Sequence, residues 1–274
     1  MDQYTKLSYQ TAEKLTMQYS SSFGQSSLLF NKRVRKHIYA IYGLVRIADE
    51  IVDTYKGKDA AKLLKEFEAQ TFQALHSGYS TNPIIHAFAL TAKRHGIGRD
   101  VIRPFFKSMR MDLKPVEYTQ HLYAQYIYGS AEVIGLMCLK VFCEENSEYK
   151  ALEPDARALG AAYQKVNFLR DFGADFNERG RVYFPGLTYE KFTDRQKQRI
   201  IKDIEHDFAQ AKTALAKLPA SAKTAVAISF AYYSQLLSNL KKHDADYIKQ
   251  HRVRVSTLKK LQLFASVRLK QGSL

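Results

Sequence analysis

Residues 35–53, Arg35-Lys36-His37-Ile38-Tyr39-Ala40-Ile41-Tyr42-Gly43-Leu44-Val45-Arg46-Ile47-Ala48-Asp49-Glu50-Ile51-Val52-Asp53, set Ile38, Ile41, Tyr42, Val45 and Ala48 at steps of three and four. That spacing lines up one apolar face of an α-helix, and Asn31 upstream supplies an N-cap. Residues 158–176 repeat the pattern through Leu159, Ala162, Tyr163, Val166, Leu169 and Phe172. Helical spacing also covers 60–76, 83–95, 118–142, 196–218 and 222–242, punctuated by Ser77-Gly78, Gly96-Ile97-Gly98 and Leu218-Pro219. No long run alternates apolar with polar residues as a half-buried strand would. The expected fold class is all-α. With no solenoid-length repeat and no low-complexity linker, residues 1–274 read as a single domain.

Composition agrees with a packed core. The 274 residues include 18 Tyr and 16 Phe and are 46% apolar, which excludes a disordered basic tail. Lys and Arg number 42 against 27 Asp and Glu, a net charge of +15. Such a charge predicts an anionic partner: nucleic acid, an acidic membrane surface or a phosphorylated substrate. The start, Met1-Asp2-Gln3-Tyr4-Thr5-Lys6, lacks the apolar stretch of a signal peptide. The apolar run from Val133 to Leu139 ends at Lys140, well short of a membrane span. Cys138 and Cys143, five apart in an apolar segment, read as buried free thiols. The expected location is cytoplasmic.

Chemistry concentrates in two aspartate pairs at i,i+4, Asp49/Asp53 and Asp171/Asp175. On a helix this spacing puts both carboxylates on one face, able to hold a hard cation. A third pair, Asp203/Asp207, reads as an ordinary solvated face. The first two lie among apolar residues, where unpaired carboxylates are costly and need neutralising. Gln164 and Asn167 precede Asp171 by seven and four residues, so Asn167, Asp171 and Asp175 form an oxygen ladder. Two readings satisfy these residues: an internal network with Arg46 and Arg170, or Mg²⁺ bridging the carboxylates to a substrate diphosphate. Gly96-Ile97-Gly98 is a turn rather than a dinucleotide loop, and the eight histidines show no zinc spacing.

Several stretches together resemble the squalene/phytoene synthase family. They are residues 19–23 (Tyr-Ser-Ser-Ser-Phe), 41–53, 128–137 (Tyr-Gly-Ser-Ala-Glu-Val-Ile-Gly-Leu-Met), 164–175 and 180–185 (Gly-Arg-Val-Tyr-Phe-Pro). The resemblance runs in order from residue 19 to 252 and is strongest to the bacterial phytoene synthase branch. It implies an isoprenoid synthase helical bundle around a central apolar cavity. It implies that Asp49, Asp53, Asn167, Asp171 and Asp175 hold Mg²⁺, with Mn²⁺ as the substitute, and through it diphosphate. It also implies that Tyr42, Arg46, Gln164 and Arg170 contact substrate, together with a flap formed by Tyr19, Ser20, Ser21, Ser22 and Phe23. Tyr247 matches a late substrate-contacting tyrosine, and Tyr183 is expected beside the first carbocation.

The activity implied is head-to-head condensation of two geranylgeranyl diphosphates to phytoene through a cyclopropyl (prephytoene) diphosphate, the first step of carotenoid biosynthesis. The alternative is a squalene or dehydrosqualene synthase using two farnesyl diphosphates. Two positions depart from the family pattern: Glu50 stands where many relatives have Asp, and Glu132 replaces a small residue. A reading from another class, a non-catalytic basic helical module, would explain the charge without chemistry, but prenyl diphosphates rather than nucleic acid are the expected partners. The basic run His251-Arg252-Val253-Arg254-Val255, with Lys259, Lys260, Arg268 and Lys270, reads as a solvated face, with peripheral contact to an anionic membrane as the second reading.

Overall fold

The structure, a computed structural model, describes residues 1–20, 24, 26–114 and 116–272. The described residues form helices and turns and no strand, as the periodicity implied. Local chemistry sets the helix starts. In α1 (Gln3–Tyr19) the Asp2 side chain accepts from the Thr5 amide, and in α2 (Lys32–Asp49) Asn31 accepts from Arg33. After α3 (Ala60–Ser77), α4 (Pro83–His95) starts with Asn82 capping two amides and Pro83 in its first turn. Gly78 and Gly96 end α3 and α4 in the left-handed conformation, at φ 76° and 63°.

The stretch 118–142, which reads as one helix, is three pieces: α6 (Gln120–Ile127), a wide π turn (Tyr128–Glu132) and α7 (Val133–Phe142). The turn lies against α5 (Arg99–Met111) and α8 (Asn146–Arg170). A Cβ on Gly129 would stand 2.2 Å from the Pro104 carbonyl oxygen, and one on Gly160 would stand 2.6 Å from that of Ala131. Bare backbone is therefore what lets α5, the turn and α8 meet. The segment 158–176 is likewise interrupted. Helix α8 ends at Arg170, Asp171 leaves helical geometry at φ −98° and ψ 9°, and α9 (Phe172–Arg179) starts anew.

Helices α10 (Asp194–Ala214), α11 (Ala220–Lys241), α12 (Ala245–Gln250) and α13 (Thr257–Gly272) complete the described chain. The pair Asp203/Asp207 departs in part from the expectation of a solvated face, since Asp203 is exposed and Asp207 half-buried. Helix α10 packs along α8, and the two carboxylates clasp buried Lys165 at 2.6 and 2.8 Å. One apolar core gathers α2 to α5, α7 and the start of α8; a second gathers α6, the rest of α8 and α9 to α12. Phe88, Phe105, Phe106 and Phe192 are fully buried, each contributing about 1.5–3 kcal/mol. Cys138 and Cys143 are free, and burial pushes the Cys138 thiol up to about 12. Among the described residues no helix is long and apolar enough to cross a membrane.

Under α1, α2 and α4 the Tyr9 hydroxyl and the His37 Nδ1 meet the Thr91 hydroxyl at 3.1 and 2.9 Å. Burial, with the neighbouring His95, holds His37 down to about 3. An unfolded chain protonates this ring near its ordinary 6.5, so stability is lost as pH falls from about 6.5 towards 3, at about 1.4 kcal/mol per pH unit. His37→Gln is expected to flatten that slope, measured as denaturation midpoint against pH. Gly160→Ala is expected to cost about 1–3 kcal/mol in denaturant unfolding, because a backbone oxygen cannot yield to the added methyl group.

Candidate active site

The last turn of α2 carries Asp49, and a second π turn (Glu50–Thr54) carries Asp53. Across from them stand Asp171, at the break between α8 and α9, and Asp175, in the first turn of α9. The two pairs therefore sit where helices deviate from regularity. Arginines join them. Arg179 reaches Asp175 Oδ1 from Nη1 at 3.1 Å and Asp53 Oδ1 from Nε at 3.7 Å, bridging the two motifs. Arg181 donates to Asp53 Oδ1 at 2.6 Å. Asp171 accepts from Arg170 Nε at 2.9 Å and pairs with Arg252 Nε at 2.7 Å.

This compensation is incomplete. Loss of solvent and the neighbouring Asp53 push Asp49 up to about 8; its helix neighbour Arg46 pairs instead with Glu50. Burial, then Asp171 and Asp53, push Asp175 up to about 7 against the opposing pull of Arg179. The Arg46–Glu50 pair answers the first departure from the family pattern, since Glu50 serves the arginine. At the second, Glu132 accepts from Arg157 Nε at 2.7 Å.

Beside the aspartates opens a cavity of about 660 Å³. Its walls are mainly apolar, with Ile41, Val45, Ile134, Leu139, Leu159 and Phe264 among them. Tyr19, Ser20, Tyr42, Gln164, Arg170 and Arg252 line it as well, and the two arginines are those that hold Asp171. The Arg46 guanidinium lies 4.4 Å from the centre of the Tyr19 ring. Asn167 Oδ1 accepts from the Tyr233 hydroxyl at 3.4 Å. Tyr183 is buried and stacked on Phe168, rings 4.0 Å apart, and its hydroxyl donates to Asp112 Oδ1 at 3.1 Å. Tyr247 is not brought to the cavity; it is stacked between His243 and His251. Ser21, Ser22 and Phe23 lie outside the described residues.

Sequence reasoning missed Arg179, Arg181, Arg252 and Asp112. The first two flank Gly180 in a stretch singled out for other reasons. Asp112 had no local signal: it is buried, accepts from Tyr126 at 2.7 Å as well as Tyr183, and burial pushes it up to about 6 despite Arg181.

A family model described as squalene/phytoene synthase matches residues 16–259. The chain belongs to the squalene/phytoene synthase family. A chloroplastic phytoene synthase of Narcissus pseudonarcissus is 28% identical over 93% of this chain and 64% of its own length. A 15-cis-phytoene synthase of Synechococcus elongatus is 27% identical, over 92% of this chain and 90% of that one. The chain thus spans slightly less than two thirds of the chloroplastic relative and most of the cyanobacterial one. The fold is that of a solved dehydrosqualene synthase, at TM-score 0.84 and 21% identity with 99% of each chain covered. A solved squalene synthase of Alicyclobacillus acidocaldarius gives TM-score 0.76 at 18% identity, covering 88% of this chain and 96% of that one.

The family implies a metal, and the donor set can be tested against one. Among the described residues no three His, Cys, Asp or Glu side chains stand close enough together to hold an ion. Arginines engage Asp53, Asp171 and Asp175 in this conformation. The donors are nevertheless all oxygen, and Asp49 is left short of positive charge, which fits a hard divalent cation. In metal-free protein, a folded-state pKa near 8 means that Asp49 stabilises the fold least at high pH, because ionising it there is unfavourable. Asp49→Asn is expected to raise the unfolding free energy by about 1 kcal/mol or more at pH 8 and by little at pH 4, measured by denaturant titration in chelator.

Proposed function

We propose that this protein joins two geranylgeranyl diphosphates head to head to form phytoene, the first step of carotenoid biosynthesis. The observation that carries the reading is a 660 Å³ apolar cavity whose lining arginines, Arg170 and Arg252, hold Asp171 of the second aspartate pair. That juxtaposition suits a molecule with a long hydrocarbon chain and a diphosphate head. The 27–28% identity to phytoene synthases favours twenty-carbon substrates.

In this reading Asp49, Asp53, Asn167, Asp171 and Asp175 would hold Mg²⁺, or Mn²⁺ in its place, whose charge supplies Lewis-acid stabilisation of the departing diphosphate. Arg46, Arg170 and Arg252 bind phosphate oxygens, with geometry suited to bidentate contact. Tyr42, Gln164, Tyr19 and Ser20, which line the cavity, orient the head group. The first substrate's C1–O bond breaks, its electron pair leaving with diphosphate. The second substrate's double bond attacks the allylic cation, and proton loss to the released diphosphate closes the cyclopropane. Ionisation of that intermediate, rearrangement and a second proton loss give the triene, with no reductant consumed. The apolar wall excludes water that would quench the cations. Tyr183, fixed by Phe168 and Asp112, would face the first cation in this reading. Tyr247 would join the substrate site only by leaving its histidine stack.

A second reading, condensation of two farnesyl diphosphates to squalene or dehydrosqualene, draws on the fold shared with the dehydrosqualene synthase. Purified protein with Mg²⁺ and either farnesyl or geranylgeranyl diphosphate, with and without NADPH, decides between them. The expected outcome is a C40 hydrocarbon from geranylgeranyl diphosphate, independent of NADPH. A C30 product would overturn the chain length, and no hydrocarbon from either substrate would overturn the enzyme. Asp171→Ala is expected to reduce turnover by about 10²–10³-fold or more while circular dichroism stays unchanged.

A further inference from the structure

Helix α13 roofs the cavity and packs chiefly along α11. Its inner face contributes Leu263 and Phe264 to the cavity wall, and Lys260 lies 5.4 Å from the Tyr232 ring centre. Its outer face is unusual for a surface helix. Leu258 is 68% exposed and Leu261, one turn on, is 62% exposed, with exposed Lys259 between them and exposed Arg254 just before the helix. Two large aliphatic side chains standing in water beside each other mark a surface with a partner rather than a solvated face.

Charge identifies the partner's sign. Residues 247–274 contain seven Lys and Arg and no acidic residue; Lys249 and Arg252 pair with Asp246 and Asp171 and Lys260 faces Tyr232, which leaves Arg254 and Lys259 exposed beside the leucines. A soluble polyanion would use the charge and leave the leucines in water. An anionic bilayer uses both, because its head groups attract Lys and Arg while its acyl boundary accepts Leu.

We propose that the outer face of α13 docks this protein on an anionic lipid surface, with Leu258 and Leu261 entering the acyl boundary and Lys259 and Arg254 at the head groups. The docking is independent of which prenyl diphosphate is consumed, and its test involves no turnover, so it can fail without touching the proposed activity.

The full-length protein is floated with vesicles of phosphatidylcholine alone and of phosphatidylcholine mixed with phosphatidylglycerol. The expected result is binding to the anionic vesicles, weakened by added salt, and little to the neutral ones. Leu258→Gln/Leu261→Gln is expected to weaken that binding about tenfold or more at unchanged thermal midpoint, since both side chains already face solvent. The chain has no tryptophan, so Leu261→Trp supplies a single fluorophore whose emission should shift to the blue on adding anionic vesicles. No binding by the parent protein, unchanged binding by the double variant, or an unshifted tryptophan would overturn the proposal. So would a concentration-dependent dimer, abolished by the double variant, in a protein that ignores vesicles, which would give the face to a second copy of the chain.

Discussion

Like charges brought close together where water is scarce must be compensated, and the region around Asp49, Asp53, Asp171 and Asp175 is built around that requirement. Repulsion among carboxylates in a poorly solvated cleft would open the molecule if nothing opposed it. Arg179, Arg181 and Arg252 oppose it from two separate stretches of chain, the first two flanking Gly180 and the third beyond α12. Asp49 and Asp175 remain undercompensated. Uncompensated buried carboxylates cost stability, and this pair concentrates an excess of negative charge that a bound cation would neutralise.

The rest of the architecture serves this end. Two apolar cores hold the helices that deliver the carboxylates, and a largely apolar cavity opens beside the charge. The Tyr183 ring is fixed twice, by a 4.0 Å stack on Phe168 and by its bond to Asp112, which itself is held by Tyr126. Arg181 also donates to the Tyr183 hydroxyl, at 3.3 Å. One hydrogen-bonded unit thus connects the Tyr183–Phe168 stack to Asp53.

How much of this the sequence disclosed depended on range. The α2 cap at Asn31, the ends at Gly78 and Gly96 and the two aspartate pairs were legible because each is decided within a few residues. Arg181 meets Asp53 across 128 positions and Arg252 meets Asp171 across 81, and no periodicity encodes such pairings. Asp203 and Asp207 were misread in part for the same reason: the partner that makes them structural, Lys165, lies on a different helix. Helix type was legible and helix continuity was not. The interruption at Tyr128–Glu132 rests on contact between Gly129 and the Pro104 backbone, and the one at Asp171 leaves apolar spacing intact on both sides.

The wide turn at Glu50–Thr54 has a genealogical implication. Such a turn accommodates one residue more than a regular helix would, and arises naturally from a single-residue insertion. Each residue advances a regular helix by about 100°. Taking one residue out of this turn would close it to regular helix and move Asp53 from the fourth to the third position after Asp49, changing how the two carboxylates face each other and Arg179 and Arg181. Length in this stretch is as constrained as identity, so a true functional homologue should align through it without a gap, even where the surrounding side chains have diverged.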